Sequence, residues 1–166
     1  MNLLILVVLI LFLLYYKMYI YKWNKSSSFS VSKYKIQKNK ILKKYNKKAP
    51  SYIGLNNKDY IKKVYYKYLI NWDFVPRMKF TKNYIIEDYY KHNLSKKNKP
   101  KDYKEQLLKI DQTIKQSKMY HNDYFLRHFF VKNEKIYLID WNNFIDYVPK
   151  WAKDRNNINT IIDKLK

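Results

Sequence analysis

One glycine, Gly54, in 166 residues is the tightest constraint on what this chain can build. Sites that let a backbone approach a phosphate closely depend on clustered glycines, because only glycine adopts the required conformations without a Cβ clash. P-loops and dinucleotide-binding fingerprints are therefore excluded. Cysteine is absent, which removes zinc fingers, thiol catalysis and disulfide frameworks. The chain is nevertheless 47% hydrophobic and 19% aromatic, too apolar for a disordered segment. Its length suits one domain with its own core.

A formal net charge of +22 invites a nucleic-acid reading. Of 35 basic residues, however, only Arg77, Arg127 and Arg155 are arginine, the usual reader of base edges and the better phosphate fork. The abundance of Lys, Asn, Ile and Tyr is what an AT-rich coding sequence yields. A nucleic-acid role then rests on net charge alone and ranks last. The lysine coat would still attract anionic lipid, nucleotide or phosphorylated ligands.

Residues 1–23 read as a membrane anchor. Leu3 to Leu14 is unbroken Leu, Ile, Val and Phe. Tyr15, Tyr16, Tyr19, Tyr21 and Trp23 follow, which the headgroup zone favours, and Lys17 reaches water by snorkelling. Lys17, Lys22, Lys25, Lys33 and Lys35 all lie after the apolar run, so the positive-inside rule leaves the C-terminal domain in the cytoplasm. Ser26 to Ser30 lies in an expected linker over 24–32.

The remaining 33–166 reads as α+β. Two short strands are expected between Val31 and Tyr45, turning at Lys38 to Lys40. Asn57 or Asp59 caps a helix to about Ile70, with Ile61, Val64, Tyr65, Tyr68 and Leu69 on one stripe. A hairpin joins Met78–Phe80 to Tyr84–Ile86, and a polar loop runs from Lys91 to Lys101. Tyr103, Leu107, Ile110 and Ile114 mark a helix from Asp102 to Lys118. A second hairpin joins Phe129–Val131 to Ile136–Ile139 and ends at Asp140.

That hairpin holds Asp123 and Asp140 in register, so the two carboxylates are expected near one another. Neighbouring carboxylates repel, and each wants a cation. A hard oxygen site suits Mg²⁺, and a carboxylate left free of metal can take a proton from a hydroxyl.

The ordered set of His121-x-Asp123, a polar side chain five residues later, a hairpin, and an apolar strand ending in Asp140 resembles the catalytic loop and metal-binding Asp of the protein-kinase-like superfamily. His128 stands where ordinary kinases carry Asn. With His there, the pattern is similar to the lipopolysaccharide core kinases, the Kdo and heptose kinase-like family. Ile139-Asp140-Trp141 also resembles the Ile-Asp-Trp of aminoglycoside and choline phosphotransferases.

The resemblance implies a truncated, minimal kinase-like fold behind the N-terminal transmembrane helix: a reduced N-lobe over 33–86 with a small antiparallel sheet and one helix, and a reduced C-lobe over 87–166. It implies ATP and Mg²⁺ as cofactors. Asp123 would accept the acceptor's proton and Asp140 would hold the metal. His128 would supply the second metal ligand or contact phosphate. Glu87, Asp88 and Tyr89 would form the hinge whose backbone bonds adenine. Lys43 would anchor phosphate, or Lys44 if the register slips by one. His121 would be structural, Arg127 would pair with a carboxylate or phosphate, and Asp154 would brace the loop.

The sequence departs from that pattern upstream. No glycine-rich loop precedes Lys43, the first helix offers Lys62 and Lys63 where a partner acid belongs, and the segment looks short for a full small lobe. Only 26 residues follow Asp140, too few for a large peptide-binding lobe. The expected function is a membrane-anchored kinase acting on a hydroxyl of a glycan, lipid-linked or small-molecule acceptor. The alternative is an inactive kinase-like module binding anionic lipid or a protein partner.

Overall fold

The structure, a computed structural model, describes residues 7, 8, 10, 24–25, 31–45 and 57–166. From residue 24 onward these form two antiparallel sheets and three α-helices, an α+β arrangement. The upper sheet comprises β1 (Asn24–Lys25), β2 (Val31–Gln37), β3 (Lys40–Tyr45), β4 (Met78–Phe80) and β5 (Ile85–Asp88), in the order β1-β2-β3-β5-β4. The lower sheet comprises β6 (His92–Asn93), β7 (Phe129–Lys132) and β8 (Lys135–Leu138), in chain order. The chain crosses between the sheets once, over 89–91.

Most of the expected anchor over 1–23 lies outside the described residues. Within it, Val7, Val8 and Ile10 are helical and exposed. No helix among the described residues is long and apolar enough to cross a membrane. The segment read as a linker contributes strand: β1 pairs with β2 through Asn24–Tyr34 and Lys25–Lys33, and β2 begins at Val31. The upper sheet therefore reaches five strands despite the short stretch of chain available to it.

Helix α1 (Asn57–Lys67) places Asp59 in its first turn and Lys67 in its last, each favourable to the helix dipole. It stops before the expected Ile70, and a 3₁₀ turn over Leu69–Asn71 follows. Tyr60, Ile61, Val64 and Tyr65 are buried. Ile61 packs with Tyr45 and Ile85 beneath the upper sheet, and the Tyr65 hydroxyl accepts from the Met78 amide at 3.2 Å. Tyr60 faces the other way, its hydroxyl donating to the Phe144 carbonyl.

Helix α2 (Tyr103–Gln116) buries Leu107, Ile110 and Ile114, and the chain leaves it through Lys118 at φ 57°. Gln106 latches it to the lower hairpin, accepting from the Ile136 amide and donating to the Glu134 carbonyl, each at 2.8 Å. That hairpin turns through Asn133 and Glu134, both with positive φ, so it twists in the sense its strands need.

A third helix, α3 (Ile158–Leu165), was not expected from the sequence. Asn157 caps it by accepting from the Asn159 amide at 3.0 Å, and Ile158, Ile161, Ile162 and Leu165 are buried. Their steps of 3, 1 and 3 are helical, but the stripe is only eight residues long and sits at the end of the sequence. α3 closes the main core against α2. Ile161→Ala is expected to destabilise the fold by about 2–5 kcal/mol, since Ile161 is fully buried; urea unfolding monitored by circular dichroism measures it.

Candidate functional site

The site begins with the loop that follows α2. Asn122 adopts φ 60° and its side chain holds that turn. Its amide nitrogen donates to the Asn143 and Tyr147 carbonyls at 3.1 and 3.0 Å. Asn156 closes a reciprocal pair, accepting from the Asn122 backbone N–H at 2.9 Å and donating to its side-chain oxygen at 2.6 Å. The Tyr124 amide donates to the Arg155 carbonyl at 2.8 Å. Asp123 is thereby fixed between two clamped residues.

Asp140 arrives from the other side. The Ile139 amide donates to the His128 carbonyl at 3.0 Å, and the Ile139 carbonyl meets His121 Nε2 at 3.0 Å. The residue after this double tie, Asp140, sits in the left-handed region (φ 67°, ψ 63°). For a residue with a Cβ that conformation costs about 1–3 kcal/mol and needs outside support. Asn142 supplies some of it by donating to the Asp140 carboxylate.

Between the two acids lies His128, buried. Its Nδ1 is 2.9 Å from the Asp123 carbonyl, so that nitrogen carries the donated proton. Its Nε2 then accepts, receiving Arg127 Nε at 3.2 Å and lying 3.6 Å from the Asp140 carboxylate. Asp123, His128 and Asp140 each offer one ligand atom within 4.8 Å of the others. Asp123 Oδ1 is buried without a hydrogen-bond partner, with Arg155 Nη1 3.7 Å away. An orphaned buried carboxylate oxygen beside a second acid fits a divalent cation. The two carboxylates suit Mg²⁺ or Mn²⁺, whereas the imidazole between them is a ligand that later transition metals prefer.

Burial is the main cause that pushes the Asp123 carboxyl above the usual range; the Asp140 charge adds to it, while His128, Arg155 and Arg127 oppose it. Asp123 thus holds a proton more readily than an ordinary aspartate. His121 lies fully buried between Tyr124 and Trp141, and burial lowers it to about 4. Neutral His121 is a structural group tying the loop to Ile139.

Above these residues, half-buried Lys43 and buried Glu87 form an ion pair at 2.7 Å. The register Lys43–Ile85 and Ile41–Glu87 puts both side chains on the sheet face that carries Tyr45. The acid sought on the first helix is therefore on the neighbouring strand. Its signal was the inward alternation Ile85, Glu87, which leaves a carboxylate on a buried face and so requires a cation. Tyr45 is buried, and its hydroxyl is pushed well up by burial, then by the charges of Glu87 and Asp140. Both Glu87 above and Asp140 below thus act on it electrostatically.

Glu87, Asp88 and Tyr89, expected as a hinge, lie at the end of β5 and the start of the crossing. Glu87 is buried and ion-paired, and Asp88 pairs with Lys40 on the opposite face. The Asp88 and Tyr89 amides donate to the Arg77 and Asn39 carbonyls, so neither N–H is free for a ligand. Asp154 is exposed, and bracing comes instead from Arg155 and Asn156. Arg127 stacks 4.2 Å above the Phe125 ring and donates to His128. Lys44, one register step from Lys43, points to the opposite face of its strand. The contributions of Asn122, Tyr45, Arg155 and Asn156 were missed, since nothing local in the sequence marks them.

A cavity of about 70 Å³ separates the halves, lined above by Ile41, Lys43 and Glu87 and below by Phe130 and Ile139. Comparison with known protein families and with curated proteins found no match.

Two outcomes are expected from this geometry. Glu87→Leu alone is expected to destabilise by about 3–5 kcal/mol by stranding Lys43, whereas Lys43→Met with Glu87→Leu costs far less or stabilises; denaturant titration of the three variants resolves this. The second concerns pH. His121 binds a proton less readily folded than unfolded, so its contribution to stability is full above about 6.5 and declines as pH falls toward about 4. Within that window His121→Phe is expected to flatten the slope of stability against pH by up to about 1.4 kcal/mol per unit, read from unfolding curves at stepped pH.

Proposed function

We propose that this chain is a membrane-anchored, minimal protein-kinase-like phosphotransferase that moves the γ-phosphoryl group of ATP to a hydroxyl of a glycan, lipid-linked or small-molecule acceptor. The observation that carries the reading is the convergence of Asp123, His128 and Asp140 under a sheet whose inward face presents the Lys43–Glu87 pair. Lys43, Glu87 and Ile139, the residue before Asp140, line one small cavity, which sets the ion pair next to the segment that carries Asp140.

Each residue then has a role. Lys43, oriented by Glu87, anchors the inner phosphates. Asp140 and His128 would hold Mg²⁺ or Mn²⁺, which neutralises charge on the phosphates when bound. Asp123 takes the acceptor's hydroxyl proton as the acceptor oxygen bonds the γ-phosphorus. The bond from that phosphorus to the bridging oxygen breaks, and ADP leaves with its electron pair. Arg155, 3.7 Å from Asp123, orients the carboxylate. The expected single span over 1–23 would hold this site against the bilayer and raise the local concentration of a lipid-linked acceptor.

The alternative, a non-catalytic module, draws support from one observation. The cavity of about 70 Å³ is well below the roughly 300 Å³ at which ligand sites begin. On the kinase reading the two sheets must part to admit nucleotide, pivoting at 89–91.

Millimolar ATP or ADP with Mg²⁺ is expected to raise the unfolding temperature of the full chain, by about 2.7 kcal/mol of stabilisation at a hundredfold excess over Kd. Asp140→Asn should abolish the shift, and Asp123→Ala should abolish turnover. No shift with any nucleotide favours the binding module. Turnover surviving in Asp123→Ala removes that residue as the base.

A further inference from the structure

A second concavity lies on the other side of the crossing. It measures about 540 Å³, several times the interlobe cavity and within the range of small-molecule sites. Its walls come from Lys40 at the start of β3, Tyr65 on α1, the segment between α1 and β4, the end of β5 with the crossing, and the β7–β8 hairpin. Both sheets therefore contribute.

Its chemistry is cationic with an aromatic wall. Lys40, Arg77, Lys132 and Lys135 line it, against Asp73 and Asp88 alone. Both acids are taken: Asp88 pairs with Lys40, and Asp73 with Lys135 at 2.8 Å, an attraction that lowers the Asp73 carboxyl. Arg77 and Lys132 are left without a carboxylate partner among the described residues, so an entering anion meets uncompensated positive charge. Tyr90 and Tyr137 stack at 4.3 Å and 23° in the same wall, with Lys132 5.8 Å from the Tyr90 ring. In a chain that uses lysine almost everywhere, Arg77 places one of three guanidiniums here. Its planar fork grips a phosphate with two parallel hydrogen bonds, which an ammonium cannot do.

We infer that this groove binds a small phosphorylated ligand of nucleoside-monophosphate size, its phosphate held by Arg77 and Lys132 and its ring against the Tyr90–Tyr137 wall. The site is separate from the Asp123–Asp140 centre and requires no metal. Because Tyr90 belongs to the crossing, a bound ligand would touch the one segment that joins the two sheets and so bias how far they part.

The test uses the full chain in detergent, with AMP as probe and EDTA present. AMP is expected to bind, and Arg77→Ala with Lys132→Ala to weaken it at least about tenfold. Arg77→Lys, which keeps charge and bulk, should also weaken it, because the fork is lost. Asp140→Asn and the double Lys43→Met, Glu87→Leu variant should bind AMP as the unaltered chain does. Inorganic phosphate should compete weakly. No AMP binding in EDTA, binding indifferent to Arg77, or binding lost with the cleft variants each overturns the assignment. So does a single-stranded oligonucleotide that binds far more tightly than AMP through the same two residues, which would make the groove a nucleic-acid surface. Failure of Mg²⁺–ATP binding at Asp140 leaves every one of these readings intact, so the two sites stand or fall separately.

Discussion

Two hydrogen bonds to the backbone of one residue organise this molecule. The Ile139 amide donates to the His128 carbonyl, and the Ile139 carbonyl receives His121. Both histidines belong to the loop that carries Asp123, while Ile139 directly precedes Asp140. Two acids from different segments are thus held at fixed separation by backbone contacts rather than by their own attraction, which at like charge would be repulsion. His121 can play this part because burial keeps it neutral, and its rings on either side leave no space for a hydrated imidazolium.

The upper half is built on a different constraint. A lysine and a glutamate on adjacent strands point inward from one sheet face, and each justifies the other's burial. A buried pair of this kind adds little net stability, since desolvation offsets most of the Coulomb attraction. It does restrict Lys43 to one direction. Lys40 and Asp88 repeat the arrangement on the opposite face, so the β3–β5 register is recorded twice in charge.

Much of the lower half, α3 excepted, was legible from sequence because its signals are local. The stripe Tyr103, Leu107, Ile110, Ile114, the Asn133–Glu134 turn and the hairpin placing Asp140 near Asp123 all follow from spacings within about twenty residues. The upper half was legible in strand identity but not in partnership. Glu87 read as part of a hinge, and only the register of β5 against β3 shows that it faces inward beside Lys43. The serine run read as a tether, although the residues flanking it pair as β1 and β2. Asn156 and Arg155 act across more than thirty positions on Asn122 and Asp123, and no local pattern announces contacts at that range.

Helix α1 carries a mechanical consequence. Tyr60 reaches down to the Phe144 carbonyl, in the turn just beyond Asp140, and Tyr68 packs its ring edge against Phe144. Tyr65 and Ile61 reach up into the sheet. The helix is thus pinned at both ends of its girth and cannot travel wholly with either half. With the Phe80–Tyr65 ring contact as a further tie to the upper sheet, any pivot at 89–91 that parted the sheets would have to break one of these two sets of contacts.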